Sequence, residues 1–253
     1  MIGVSPAYFF SRFTTRFSVG DIVSALPDLR KLGFDGFQLE IYFRERLPEW
    51  LRDAEGLRSA ASDLGLTPTQ MVAHFLLAAF ESENALFSDF GRDEIKTVLE
   101  ILDRFPGCRV LTVPMAAFSW DASVPMTAER YRRLWDRLAE KVRLLGTEVR
   151  RAGREMALEI APLALIGGTE GYLRLCAELG DEAPGYNFDT GHPWSGKENV
   201  AFIAARLSGR ILGTHLKDNQ GTENLALAPG KGTIPWDALV DVRAAAGYMG
   251  CRD

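Results

Sequence analysis

Three residues near the ends of short apolar runs share a spacing that could do chemistry. Glu159 sits near the end of MALEI, Asp189 ends GYNFD, and His215 ends ILGTH, at intervals of 30 and 26 residues. Two carboxylates and an imidazole, each about one strand–helix unit apart, form a donor set for a divalent cation such as Mn, Co, Mg or Zn. Carboxylates brought together at the mouth of an apolar sheet are costly to bury without a counter-charge, and a cation supplies one. Each residue alone also has an ordinary reading. Glu159 can pair with an arginine or lysine, Asp189 before Thr190-Gly191 can cap a turn, and His215 can be a satisfied core histidine.

Four further residues fall at the same predicted level. His192 follows Asp189 by three positions in DTGHPW, Glu40 ends GFQLE, His74 ends TPTQMVAH, and Lys217 follows His215 by two. All four are candidates for contacting a small substrate, and each has a structural alternative as a loop or salt-bridge residue. The turn Pro229-Gly230-Lys231-Gly232 offers backbone N–H groups to an anion but lacks the GxxxxGK[ST] phosphate-loop pattern. Phe9, Phe10, Phe118, Trp120 and Trp194 fall in predicted loops at this rim, where they can wall a pocket or pack the loops.

The elements that must hold these residues alternate along the chain. Apolar or β-branched runs at 2–5, 36–41, 67–75, 109–113, 155–160, 185–189 and 210–217 read as strands. Amphipathic stretches at 19–31, 47–64, 94–105, 127–152, 169–179, 200–207 and 234–246 read as helices. The longest shows Tyr131, Leu134, Trp135, Leu138, Val142 and Leu145 at three- and four-residue steps. The last carries Trp236, Leu239 and Val242 on one face. Seven strand–helix units with an incipient eighth imply parallel strands joined by helical crossovers, and a (β/α)8 TIM barrel rather than an open sheet. In such barrels the C-terminal ends of the strands carry the catalytic groups.

Bulk properties agree with one domain over residues 1–253. The length of 253 residues suits one barrel, and 47% hydrophobic with 25% charged residues is ordinary globular usage. A net charge of −5 argues against a protein that grips phosphate backbones, so no nucleic acid is expected as partner. Cys108, Cys176 and Cys251 are widely spaced and form no CxxC pair, which suits free thiols in a reducing compartment. The opening MIGVSPAYFF lacks a basic start and reads as strand and loop rather than a leader, and no apolar run reaches membrane-spanning length. A cytoplasmic protein with no membrane contact is expected, acting on a small molecule, with homo-oligomerisation open.

The motifs GFDGFQLE (33–40), ALEIAP (157–162), NFDTGHPW (187–194), THLKDNQG (214–221) and PGKGTIPW (229–236) resemble the xylose isomerase-like (β/α)8 superfamily. That group includes sugar phosphate isomerases and epimerases, ketose 3-epimerases, inosose dehydratase and endonuclease IV. The resemblance implies that Glu159, Asp189 and His215 bind the metal, that His192 approaches the substrate, and that Glu159 doubles as acid and base. It also implies a second glutamate on strand eight, as fourth ligand and opposite base. Here AAAGYMGCRD resembles the approach to that strand, and Asp253 falls early to replace the glutamate. The chain is therefore expected to be truncated within or before strand eight, to leave strands one and seven with open edges, and to be poorly soluble.

The resemblance points to enediolate proton transfer in a ketose or related polyol-ketone. The alternatives are an inosose-type dehydratase and a non-catalytic sugar- or metal-binding protein or inactive fragment. DNA repair is disfavoured, because the three-zinc endonuclease site needs more histidines than the three present.

Overall fold

A computed structural model describes residues 1–245. Cys251, Asp253, the stretch read as approaching strand eight, and the side chain of Val242 lie outside what is described.

Seven parallel strands form one sheet in chain order: β1 (Gly3–Val4), β2 (Gly36–Ile41), β3 (Thr67–Ala73), β4 (Val110–Met115), β5 (Glu155–Ile160), β6 (Gly185–Asp189) and β7 (Ile211–His215). Among the described residues β1 and β7 each pair on one side only. Helices α1 (Ala7–Phe13), α2 (Val19–Lys31), α3 (Leu47–Asp63), α4 (Glu83–Phe87), α5 (Arg92–Leu102), α6 (Ala128–Arg151), α7 (Thr169–Leu179), α8 (Gly191–Ser195), α9 (Val200–Arg206) and α10 (Trp236–Ala245) occupy the crossovers. This is the TIM-barrel arrangement. Strictly sequential parallel pairing follows from helical connections that each return the chain to the next strand.

Local chemistry sets the helix starts. At α2 the Ser18 hydroxyl accepts from Asp21 N while the Asp21 carboxylate accepts from Ser18 N, a reciprocal capping box. Thr127 caps α6 by accepting from Arg130 N. Leu134, Trp135, Leu138, Val142 and Leu145 of α6 are buried, whereas Tyr131 at its start is exposed and meets Arg174. Strand β2 is buried along its whole length, as expected where helices cover one face of a barrel and side chains fill the other.

Three expectations shift. The segment after β1, read as loop, forms α1, with Phe9 fully buried and Phe10 lining the rim cavity. Strand β3 ends at Ala73, whose ψ of 73° leaves extended geometry, so His74 opens a 3-10 turn (His74–Ala79) rather than closing the strand. Among the aromatics placed in rim loops, Phe118 is buried, Trp120 is exposed, and Trp194 is part of α8, with its indole N–H donating to Thr233.

Candidate active site

Strand register brings the sequence-selected residues to one level. Asp189 lies opposite His215 across β6 and β7, and Glu159 lies opposite Pro114 across β5 and β4. Side chains alternate along a strand, so the inward positions recur every second residue. The upper inward layer holds Glu40, Val72, Pro114, Glu159, Asp189 and His215, which line a cavity of about 750 Å³ at the C-terminal ends of the strands. Tyr8, Phe10, Leu77 and Met115 add apolar surface to its lining.

Glu159 is the hub. Its Oε1 lies 2.9 Å from His215 Nδ1 and 3.4 Å from His192 Nε2. Asp189 Oδ1 accepts from the backbone N–H groups of Gly191 (2.8 Å) and His192 (2.9 Å), which fixes the carboxylate at the start of α8. Its Oδ2 faces Lys217 Nζ at 2.8 Å, His192 Nε2 at 3.8 Å and His215 Nδ1 at 3.9 Å. Burial works to raise the Glu159 carboxyl, but the charge of His215 and hydrogen bonds from both histidines outweigh it and hold the group well below the ordinary carboxylate range. Burial likewise opposes charge on His215, yet Glu159 and Asp189 push it up to about 9. Lys217, similarly buried, is raised by Asp189 and Glu159.

A second pair faces the cavity from β2 and from the 3-10 turn that follows β3. The buried Glu40 Oε1 lies 3.0 Å from His74 Nδ1, and Tyr42 stacks on the His74 ring with centroids 4.0 Å apart. Burial raises the Glu40 carboxyl, and the His74 contact partly offsets this. Glu40 thus orients His74, whose ring carries the exposure.

Beneath the rim lies a layer that sequence reasoning missed. Gln38, Gln70, Thr112 and Asn187 are buried polar residues on four different strands. Thr112 Oγ1 donates to Gln70 Oε1 (2.8 Å), and Gln70 Nε2 donates to Asn187 Oδ1 (3.1 Å). Asn187 Nδ2 lies 3.2 Å from His215 Nδ1, His215 Nε2 lies 2.8 Å from Gln38 Oε1, and Gln38 Nε2 donates to the Thr214 carbonyl (3.3 Å). Gly213 makes room for this chain, since a Cβ there would stand 2.3 Å from Gln70 Oε1 and 2.5 Å from Asn187 Oδ1. The signal available in the sequence was the alternation itself. Gln38 and Asn187 each sit two positions before a rim carboxylate.

The segment after β7 is held together by one buried carboxylate. Asp218, fully buried, accepts from Asn219 N, Ile234 N, Gly230 N and the Trp236 indole, so it clasps the Pro229-Gly230-Lys231-Gly232 turn rather than meeting a substrate. Gly232 packs against Asp218 Oδ1 and Asn219 O, each 2.3 Å from where a Cβ would stand.

A parallel barrel sheet with three buried carboxylates and three imidazoles around one rim cavity defines a class of TIM-barrel proteins with an acid–imidazole centre. Within that class, the chain belongs to the xylose isomerase-like TIM barrel family, whose model matches residues 26–251. Its structure is similar to that of the IOLI protein solved with a bound zinc atom (TM-score 0.74, 16% identity, 99% of this chain and 87% of that one). It is similar also to a D-tagatose 3-epimerase-like protein (TM-score 0.73, 17% identity, 99% and 88%). A third similar structure is the probable 3-DHS dehydratase AsbF of Bacillus anthracis, involved in petrobactin synthesis (TM-score 0.72, 15% identity, 100% and 92%). These likenesses are of fold. A curated relative, the uncharacterized protein y4fM of Sinorhizobium fredii, is 30% identical over 99 residues, 37% of this chain. That match spans 32% of the relative's length, so the chain covers about a third of it. No described helix is long and apolar enough to cross a membrane.

Proposed function

We propose that the protein is a divalent-metal-dependent sugar isomerase or epimerase in which Glu159 moves a proton at the carbon beside a ketose carbonyl. The observation that carries this reading is the convergence of Glu159, Asp189 and His215 on one point of the cavity, with His215 Nδ1 2.9 Å from Glu159 Oε1 and 3.9 Å from Asp189 Oδ2.

The donor set fits a cation on its own chemistry. His215 Nδ1 meets a donor, Asn187 Nδ2, and an acceptor, Glu159 Oε1, at once. A proton on Nδ1 suits only the second and a bare lone pair only the first. A cation shared between that lone pair and the carboxylates satisfies Glu159 and Asp189 together. By mutual distance, the group that stands together among the described residues is Glu159, Asp189 and His192, with His192 in place of His215. The two histidines differ behind the ring. A ligating imidazole ordinarily has its other nitrogen hydrogen-bonded, and His215 Nε2 has Gln38, whereas His192 Nδ1 is buried without a partner. This favours His215 as ligand and His192 as the group that meets the substrate.

When bound, Mn, Co, Mg or Zn supplies Lewis-acid polarisation of the substrate carbonyl, which acidifies the neighbouring C–H. Glu159, kept ionised by His215 and His192, accepts that proton and returns it. His192 Nε2 and Lys217 stand on the same side of the cavity to hold hydroxyl oxygens. His74, set by Glu40 and Tyr42, meets the far end of the molecule. The apolar lining excludes water from the carbanionic stage.

Solvent deuterium incorporation into a panel of ketoses, with the metal-loaded protein, tests this reading. Glu159→Gln is expected to lower exchange by about 10²–10⁴-fold, the range for removing a general base. Appreciable turnover in that variant refutes the role of Glu159. The AsbF likeness supports one second reading, elimination of water after the same proton abstraction. An unsaturated or dicarbonyl product, in place of an epimer or an aldose, identifies it.

A further inference from the structure

We infer that Gln38 is a positioning residue that presents Nδ1 of His215, and not Nε2, as the atom available to a metal ion. The inference rests on the reading of His215 as a ligand.

The starting point is a group whose polarity admits one assignment. The Thr214 carbonyl oxygen is an acceptor only, so the Gln38 amide must turn its Nε2 toward it, at 3.3 Å. That places Gln38 Oε1 against His215 Nε2 at 2.8 Å. An amide oxygen only accepts, so His215 Nε2 carries a hydrogen. In the neutral ring the lone pair is then on Nδ1, which points toward Glu159 and Asp189.

Burial makes the assignment firm. Gln38 and Thr214 are wholly inaccessible to solvent, so no water competes for either end of the amide. Gln38 stands on β2 and His215 on β7, and the bond between them crosses the barrel interior. The ring is thereby held in its plane as well as in its tautomer. On the other edge of the ring Glu159 Oε1 at 2.9 Å and the Asn187 side chain at 3.2 Å both face Nδ1, the nitrogen turned toward the carboxylates. Gly213 leaves room for Gln70 and Asn187 in this layer.

The test combines a spectroscopic signature with metal affinity in the full chain. The protein has three histidines, so long-range ¹H–¹⁵N correlation spectra of the zinc-loaded, ¹⁵N-labelled protein resolve each ring. His215→Asn identifies its signals. The expected result is a protonated Nε2 and a zinc-shifted Nδ1 on His215. A protonated Nδ1 with zinc on Nε2 overturns the inference whatever the variants do. By calorimetry with Zn and Mn, Gln38→Met, close in shape but without the amide acceptor, is expected to bind about 10–100-fold more weakly, as for other partners behind a metal-ligating histidine. Gln38→Glu, which restores an acceptor facing Nε2, is expected to bind within threefold of wild type. If Gln38→Met does not fold, the wild-type spectrum and Gln38→Glu still decide.

Affinity unchanged in a folded Gln38→Met, while His215→Asn loses binding, overturns the role of Gln38 and leaves the ligand reading standing. Unchanged binding in His215→Asn, or a wild type that takes up neither ion, refutes both.

Discussion

Replacing Asp218 with asparagine should loosen the rim segment that follows β7, by an amount that can be worked out from its four bonds. Oδ1 accepts from Asn219 N at 2.9 Å and Ile234 N at 3.2 Å. Oδ2 accepts from Gly230 N at 2.9 Å and Trp236 Nε1 at 2.8 Å. An asparagine keeps one acceptor and turns an NH₂ group toward two N–H donors. Two bonds to a charged acceptor are lost, each contributing about 1.5–3 kcal/mol, and the site is fully buried. Asp218→Asn should therefore cost about 3–6 kcal/mol in urea unfolding. The damage should concentrate where the bonds were, with faster amide exchange at Gly230 and Ile234 than in β4 or β5.

A pH dependence accompanies this. Burial opposes charge on Asp218, but the Trp236 indole and the backbone N–H groups of Gly232, Ile234 and Asn219 hold its carboxyl below the ordinary aspartate value of 3.8. A carboxyl lowered on folding contributes stability that is present above its unfolded value and lost as pH falls through the lowered one. Asp218→Asn should flatten that acid limb. Destabilisation below about 0.5 kcal/mol, the scale of an ordinary surface change, with unaltered protection at Gly230 and Ile234, would refute the clasp.

Two further outcomes follow from the charges at the centre. His215 is raised from 6.5 to about 9, so its contribution is complete below pH 6.5 and disappears as pH rises through about 9. Cation-free protein should lose up to about 3 kcal/mol across that window, and His215→Asn should abolish the loss. Denaturant midpoints at pH 6 and pH 9.5 check this. Lys217→Met leaves Asp189 Oδ2 without its ammonium partner and should cost about 3 kcal/mol in cation-free protein. Saturating divalent cation should recover most of it, which thermal melts with and without Mn read directly.

The fold and the rim carboxylates were legible because two periodicities state them openly. Strand-sized apolar runs separated by helical stretches specify parallel crossovers, and Glu159, Asp189 and His215 recur at the ends of such runs. The register of β6 with β7 then sets Asp189 beside His215 as the spacing required. Other features depend on pairings no spacing reveals. Gln38 and Asn187 are ordinary amides until the barrel closes them onto one imidazole. The Pro229-Gly230-Lys231-Gly232 turn reads as a possible anion-binding loop until the donors to Asp218, up to 18 residues away from it, are seen to converge. Helix α1 was missed because Pro6 and Ser5 suggest a turn, although Pro6 in fact precedes the first helical residue with φ −57°, already suited to a helix. His74 was placed by its strand, and only the turn at Ala73 reveals its pairing with Glu40.

Glu159 is pinned by two imidazoles, 2.9 and 3.4 Å from the same oxygen, and this limits the stereochemical course of any reaction it serves. A carboxylate so held reaches a planar enediolate from one side only. Used alone, it removes a proton and delivers it to the adjacent carbon on that same side, a suprafacial shift in which part of an isotopic label travels with the substrate. Inversion at the original carbon requires delivery from the other side by a different group, and the label then washes out to solvent. On the proposed reading, the fate of a single deuterium at the reacting carbon therefore distinguishes a one-sided shift from an inversion, whichever substrate carries it.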